Sequence, residues 1–203
     1  MRKIDDLLGD VSRETLDDLE RLEALVRKWT PKINLISKAS VPLLWDRHIR
    51  DSAQLWPHVA DAHEIVDLGS GGGFPALVLA IFQKALGHRK LIMIESDQRK
   101  CAFLRAASQE LGLKTDVIAK RIEAAPHQNA HLITARALAN CADLFDLSKR
   151  HLAPGGRLLL LKGEKAQIEV EEARRDWEFS LKCYPSKTAQ NAVILEVGDL
   201  RRV

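Results

Sequence analysis

The run Ile65-Val66-Asp67-Leu68-Gly69-Ser70-Gly71-Gly72-Gly73-Phe74-Pro75 passes from a short apolar stretch into a glycine cluster and then a proline. Four of the chain's eleven glycines fall within positions 69–73. Glycine there permits positive φ and lets the backbone approach a ligand without a Cβ in the way. Pro75 suits the first position of a helix, where its missing N–H has no partner in any case. A strand at Ile65–Leu68 and a helix at Pro75–Ala85 therefore flank the turn. The next apolar run, Leu91–Glu95, reads as a strand ending on a carboxylate that can accept both hydroxyls of a ribose. A glycine turn after one strand and an acid at the end of the next imply a nucleoside-cofactor site at the carboxyl edge of a parallel sheet.

Outward from the turn, strands are expected at Thr115–Ile118, Leu132–Thr134 and Arg157–Leu161, with helices at Gln98–Leu111 and Asp143–Leu152. Such alternation predicts an α/β fold with helices on both faces of the sheet. After an acidic helix at Ala166–Trp177, two strands, Phe179–Tyr184 and Ala192–Val197, are joined by the turn-rich Pro185–Asn191. That link permits only an antiparallel hairpin. Five parallel strands closed by a hairpin match the Rossmann-like class I methyltransferase fold better than the dinucleotide-binding one. Upstream, Leu16, Leu19, Leu22, Val26 and Trp29 make one apolar helical stripe, capped by Ser12 and expected to stop at Pro31. A second helical pattern carries Leu44, Trp45, Ile49, Leu55 and Trp56 as far as Pro57. The chain divides into a helical cap, 1–60, and a catalytic core, 61–203.

The cofactor is a contest between two nucleosides. Gly71-x-Gly73-x-x-Ala76 formally satisfies the NAD pattern, which alone is weak. The Asp-x-Gly-x-Gly-x-Gly form of the turn is instead the usual S-adenosylmethionine version, and Asp67 could face the methionine ammonium. S-adenosylmethionine is preferred, with a nicotinamide oxidoreductase as the rival enzyme and an RNA-binding module with a degenerate pocket as the rival from another class.

The chain has 203 residues, 46% of them hydrophobic and 29% charged, so it can fold without disulfide or metal staples. Cys101, Cys141 and Cys183 form no CxxC, and the histidines show no metal-ligand spacing, so no metal is expected. The longest apolar stretch, Ala76–Phe82, is far short of a membrane span, and a cytoplasmic monomer is the expectation. The net charge of +3 conceals a pattern. Residues 1–23 balance at −4 and 164–178 at −3, whereas 24–50 reach +5 and 89–121 reach +4. Basic blocks beside the cofactor edge suit a phosphate-rich substrate. No Asn/Asp-Pro-Pro-aromatic motif for exocyclic amino methylation occurs, nor the Pro-Cys or Thr-Cys that supplies a thiolate for pyrimidine C5 methylation.

The chain resembles the GidB/RsmG small-subunit rRNA methyltransferases over nearly its whole length. The resemblance rests on Asn34-Leu35, Arg47-His48-Ile49-Arg50-Asp51-Ser52, the glycine turn, Phe103-Leu104, Arg136-Ala137 and Leu161-Lys162-Gly163. It implies methylation of guanine N7 at position 527 of 16S rRNA, in the 530 loop of the 30S subunit. It also implies cofactor contacts at Gly69, Phe74, Ile122, Glu123 and Arg136, to which the turn-and-ribose argument adds Asp67, Gly71, Gly73 and Glu95. The family often has Asp in place of Glu95, Ser in place of Ala135 and Leu in place of Arg50.

Guanine N7 carries a lone pair and no proton, so its methylation needs no general base. Catalysis would be positioning, with reacting atoms held in line at about 3–3.5 Å. Arg136, near the end of the fourth strand, is expected at the reaction centre, donating to the guanine carbonyl or to the methionine carboxylate. Arg47, His48 and Lys162 are candidate RNA contacts, with an Arg47–Asp51 ion pair one helical turn long as the alternative for Arg47. Trp29, Trp45 and Trp56 read as packing between the helices and the core.

Overall fold

In the computed structural model, residues 4–59, 62–87 and 90–203 are described. Strands β1 (Glu64–Leu68), β2 (Lys90–Glu95), β3 (Thr115–Ala119), β4 (Ala130–Arg136), β5 (Leu152–Lys162), β6 (Trp177–Pro185) and β7 (Val193–Arg202) form one sheet. Its order is β3-β2-β1-β4-β5-β7-β6. The first five strands are parallel, and β7 runs antiparallel to both β5 and β6. The α/β fold with a closing hairpin is thus the one expected from sequence.

Side chains alternate across the sheet and so divide the apolar strands between two layers. Ile65, Leu91 and Met93 face one layer, while Val66, Leu68, Ile92 and Ile94 face the other. Among the described residues four α-helical segments precede the sheet: α1 (Asp5–Leu8), α2 (Arg13–Ile33), α3 (Asp51–Ala53) and α4 (Trp56–Val59). Among the strands come α5 (Ala76–Ala85), α6 (Gln98–Glu110), α7 (Cys141–Lys149) and α8 (Ala166–Ala173). The first layer joins Leu19, Leu22 and Val26 of α2 to Leu77 and Phe82 of α5 and to Phe103 of α6. The second holds Leu144 and Phe145 of α7 with Val170 of α8.

The tryptophans pack as expected. Trp29 meets the Phe103 ring edge-on at 5.7 Å, Trp56 stacks on Phe82 at 5.3 Å, and Trp45 is buried. A polar anchor reinforces the layer: Lys84 Nζ donates to Asp18 Oδ2 at 2.7 Å and to the Leu111 carbonyl at 3.1 Å. Among the described residues no helix is long and apolar enough to cross a membrane.

Several local expectations are corrected. Pro31 does not stop α2, which continues to Ile33 and ends at Asn34 (φ 51°), whose N–H reaches the Thr30 carbonyl. The proline removes one ladder bond where the ladder is about to end, so the cost is small. The second helical pattern becomes a π-helical turn, Trp45–Arg50, running into α3, and Pro57 lies within α4 rather than beyond it. Pro75 precedes α5 instead of opening it and follows a cis peptide bond. Trp177 begins β6 rather than ending α8. It is buried beside Phe145, and that contact outweighs continuation of an acidic helix.

Candidate active site

The glycine turn closes over the ends of β1 and β2. The N–H groups of Gly69 and Ser70 both donate to the Ile94 carbonyl, at 2.9 and 3.2 Å. Gly71 N–H donates to Glu95 Oε2 at 2.8 Å, and Asp97 N–H donates to Glu95 Oε1 at 2.8 Å. Each Glu95 oxygen keeps a further acceptor site after these bonds. Gly72 lets the loop after α2 approach, because a Cβ there would stand 2.9 Å from the Leu35 carbonyl oxygen. Leu35 and Ile36 of that loop then form part of the wall of a cavity of about 440 Å³. Its size lies within the usual range for small-molecule sites.

Seven of the expected cofactor residues line this cavity: Gly69, Gly71, Phe74, Glu95, Ile122, Glu123 and Arg136. Two do not. Asp67 is 1% exposed, and its Oδ1 accepts a hydrogen bond from Thr134 on the neighbouring strand at 2.7 Å. It lies on the same face of β1 as Ile65, and its Oδ1 braces β1 against β4 while Oδ2 is buried without a hydrogen-bond partner. Burial, assisted by the Glu95 charge, pushes its pKa up to about 7. Gly73 has φ 86°, and an added Cβ would run into Leu77; it packs the turn onto α5 from behind.

Arg136 leaves the end of β4 and lines two cavities, the first and a neighbour of about 520 Å³. Its Nη2 donates to the Arg47 carbonyl at 2.8 Å and to His48 Nδ1 at 3.0 Å. Its Nε lies 3.3 Å from Asp51 Oδ2. Nη1 is buried without a hydrogen-bond partner. Arginine only donates, so His48 Nδ1 accepts and the imidazole proton sits on Nε2, which is also buried and unpartnered. Burial, then the charges of Arg136 and Arg47, lower the His48 pKa to about 4. At neutral pH His48 is an uncharged donor, not a base, and its ring leans on Phe74 at 5.1 Å.

The candidate RNA residues separate. His48 lines the first cavity, whereas Arg47 and Lys162 line the second. Arg47 is exposed and does not pair with Asp51; the ion pairs here are Arg50–Asp46 at 3.1 Å and Arg136–Asp51. Asp51 points to Arg136 because the chain places that buried guanidinium, and not Arg47, against it. Lys162 is buried, and its Nζ donates to the Ala139 carbonyl at 2.6 Å and to Glu169 at 2.7 Å. Cys101 and Cys141 are buried, with thiol pKa values raised by burial, Cys141 to about 11. Neither can supply a thiolate at neutral pH.

Sequence reasoning missed Leu35, Ile36, Lys100, Lys120 and Arg121 in the first wall and Thr188 in the second. The cations belong to the basic block at 89–121, which could have singled out Lys100, Lys120 and Arg121. Leu35 stood among the marks of the family resemblance without a role, and nothing local pointed to Thr188.

A family model for GidB, described as rRNA small subunit methyltransferase G, matches residues 15–194. The chain belongs to this family. Relatives called ribosomal RNA small subunit methyltransferase G include one from Dinoroseobacter shibae, 47% identical over 91% of this chain and 96% of the relative. Another, from Gluconobacter oxydans, is 48% identical over 95% of this chain and 98% of its own length. Solved structures share the fold. A SAM-dependent methyltransferase from Aquifex aeolicus superposes with TM-score 0.58 at 14% identity, covering 79% of this chain and 94% of that one. A methyltransferase from Geobacter sulfurreducens gives 0.57 at 17% identity, over 96% and 92%. Membership in GidB, a methyltransferase family, decides the cofactor contest against the nicotinamide reading.

Proposed function

We propose that this GidB chain transfers the methyl group of S-adenosylmethionine to N7 of guanine 527, in the 530 loop of 16S rRNA, acting as a cytoplasmic monomer on the 30S subunit or its precursor. The observation that carries this reading is the wall shared by the two cavities: Arg136 and Ala137 line both. The first cavity has nucleoside chemistry, with the Glu95 carboxylate for ribose hydroxyls and the apolar Ile122 beside Glu123 for a flat base. S-adenosylmethionine, when bound there, supplies an activated methyl group.

The chain's own work is placement. Arg136 Nη1 and His48 Nε2 are donors without acceptors in the protein and suit the methionine carboxylate or the guanine carbonyl. No side chain is asked to remove a proton, because N7 carries none, and neutral His48 fits that requirement. Asp51 and Glu169 of the second cavity would stand near a ring that gains positive charge. Arg47, exposed at its rim, is suited to a phosphate, while Lys162 acts through its pair with Glu169.

The test is methyl transfer from labelled S-adenosylmethionine to unmodified 16S rRNA, naked and in 30S particles, with chemical cleavage at 7-methylguanine to map the site. Transfer to one guanine in the 530 loop is expected. Tight RNA binding without transfer to either substrate would instead favour the RNA-binding module.

A further inference from the structure

A continuous polar chain joins the loop between β6 and β7 to Arg136. Thr188, in that loop, donates from Oγ1 to Asp51 Oδ1 at 2.9 Å across 137 residues of sequence. Gln54 Nε2 donates to the same oxygen at 2.8 Å, and Gln54 Oε1 accepts from the Lys187 N–H at 3.0 Å. Asp51 Oδ1 is thereby held from two sides, which turns Oδ2 toward Arg136 Nε. The pair is well shielded, with side-chain exposures of 17% for Arg136 and 16% for Asp51. With Nε on Asp51 and Nη2 on the Arg47 carbonyl and His48, Nη1 is the one nitrogen of Arg136 left to meet another group.

A long arginine side chain samples many rotamers unless its fork is fixed. We infer that Asp51, oriented by Gln54 and Thr188, is the positioning residue that fixes Arg136 at the wall between the two cavities. This rests on the role given to Arg136 above. Ser186, Thr188 and Ala189 line the second cavity, so whatever fills that cavity meets the same loop that orients Asp51. The Thr188 hydroxyl is separable from the loop's attachment, because the Gln54–Lys187 bond tethers the loop without it.

Thr188→Val removes the hydroxyl at nearly constant shape, and Thr188→Ser restores it. Two readouts are needed. The first is the Arg136 Nε–H resonance in ¹⁵N-edited NMR of the full chain, assigned by its loss in Arg136→Ala. It is expected to be sharp in the wild type and Thr188→Ser, and shifted or broadened in Thr188→Val. The second is kcat for methyl transfer at saturating S-adenosylmethionine. Thr188→Val should lower kcat about tenfold in the wild-type background and leave the residual rate of Arg136→Ala unchanged, because coupled residues are non-additive. Should Thr188→Val fold poorly by its melting curve, Asp51→Asn enters the same cycle with the same expectation. An unchanged Nε–H resonance, or an equal loss with and without Arg136, overturns the inference. If the wild type methylates nothing, the proposed function falls and the resonance alone decides the positioning role.

Discussion

A carboxylate two residues before a glycine turn can face a ligand or brace the turn, and burial separates the two. Asp67 lies at 1% exposure with one oxygen on Thr134 and the other without a partner. Its raised pKa, about 7 against an ordinary 3.8, makes it a stability group with a definite sign. A group held more readily protonated in the folded state contributes fully below its unfolded value, and that contribution is lost as pH rises through the folded value. Asp67→Asn keeps an acceptor for Thr134 and cannot ionise. Between about pH 5 and about pH 8 the variant should therefore gain on the order of 2 kcal/mol relative to the wild type. Melting curves of both proteins at the two pH values check this; parallel pH dependences would show that Asp67 does not titrate there. The sequence pattern located Asp67 but not its direction, because alternation along β1 assigns a face only once the neighbouring layers are known.

Between elements, the tie that matters is the one from the turn to β2. Glu95 accepts two backbone N–H groups, one from Gly71 and one from Asp97, so a single side chain sets the turn's height above the sheet. Glu95→Gln can satisfy only one of them, since its amide nitrogen would bring a donor against a donor. A buried unmet donor costs about 1–3 kcal/mol, and the ribose contact we propose for Glu95 would be lost as well. Affinity for S-adenosylhomocysteine by calorimetry should therefore fall at least about tenfold. The parallel strands were legible because their apolar runs are short and bounded, and the turn because glycine clusters are rare between a strand and a helix. The π-helical turn at Trp45–Arg50 was not, since Leu44, Trp45 and Ile49 are buried at spacings an ordinary helix also gives. Nor was the extension of β5 back to Leu152, where Pro154-Gly155-Gly156 reads as a loop. There Gly156 passes so close to the Ala130 carbonyl that a Cβ would stand 2.6 Å from it. The partners of Arg136 were beyond local reading because Arg47, His48 and Asp51 approach it from nearly ninety residues upstream.

Across the molecule, the helices before residue 60 are built into the same layer as α5 and α6 of the methyltransferase core. The change of texture near residue 60 led to the division into cap and core, and we propose that the cap is a structural part of the active site. Its Leu19, Leu22, Val26, Leu44 and Ile49 are buried with Leu77, Phe82 and Phe103. Its loop after α2 supplies Leu35 and Ile36, and its π-helical turn His48, to the first cavity, while α3 supplies Asp51 to the second. The Lys84–Asp18 pair crosses the same boundary, and Asp18 is 4% exposed. A fragment of residues 61–203 would leave an apolar face uncovered on α5 and α6 and Lys84 without its carboxylate. Exposing several large side chains costs about 1.5–3 kcal/mol each, comparable in sum to the whole stability of an ordinary domain. The fragment should therefore lose near-ultraviolet circular dichroism, bind a hydrophobic dye, elute as aggregate on gel filtration and show no affinity for S-adenosylhomocysteine. A monomeric fragment that keeps its tertiary signal and binds the cofactor product would make the cap an accessory, and the walls at Leu35 and His48 dispensable.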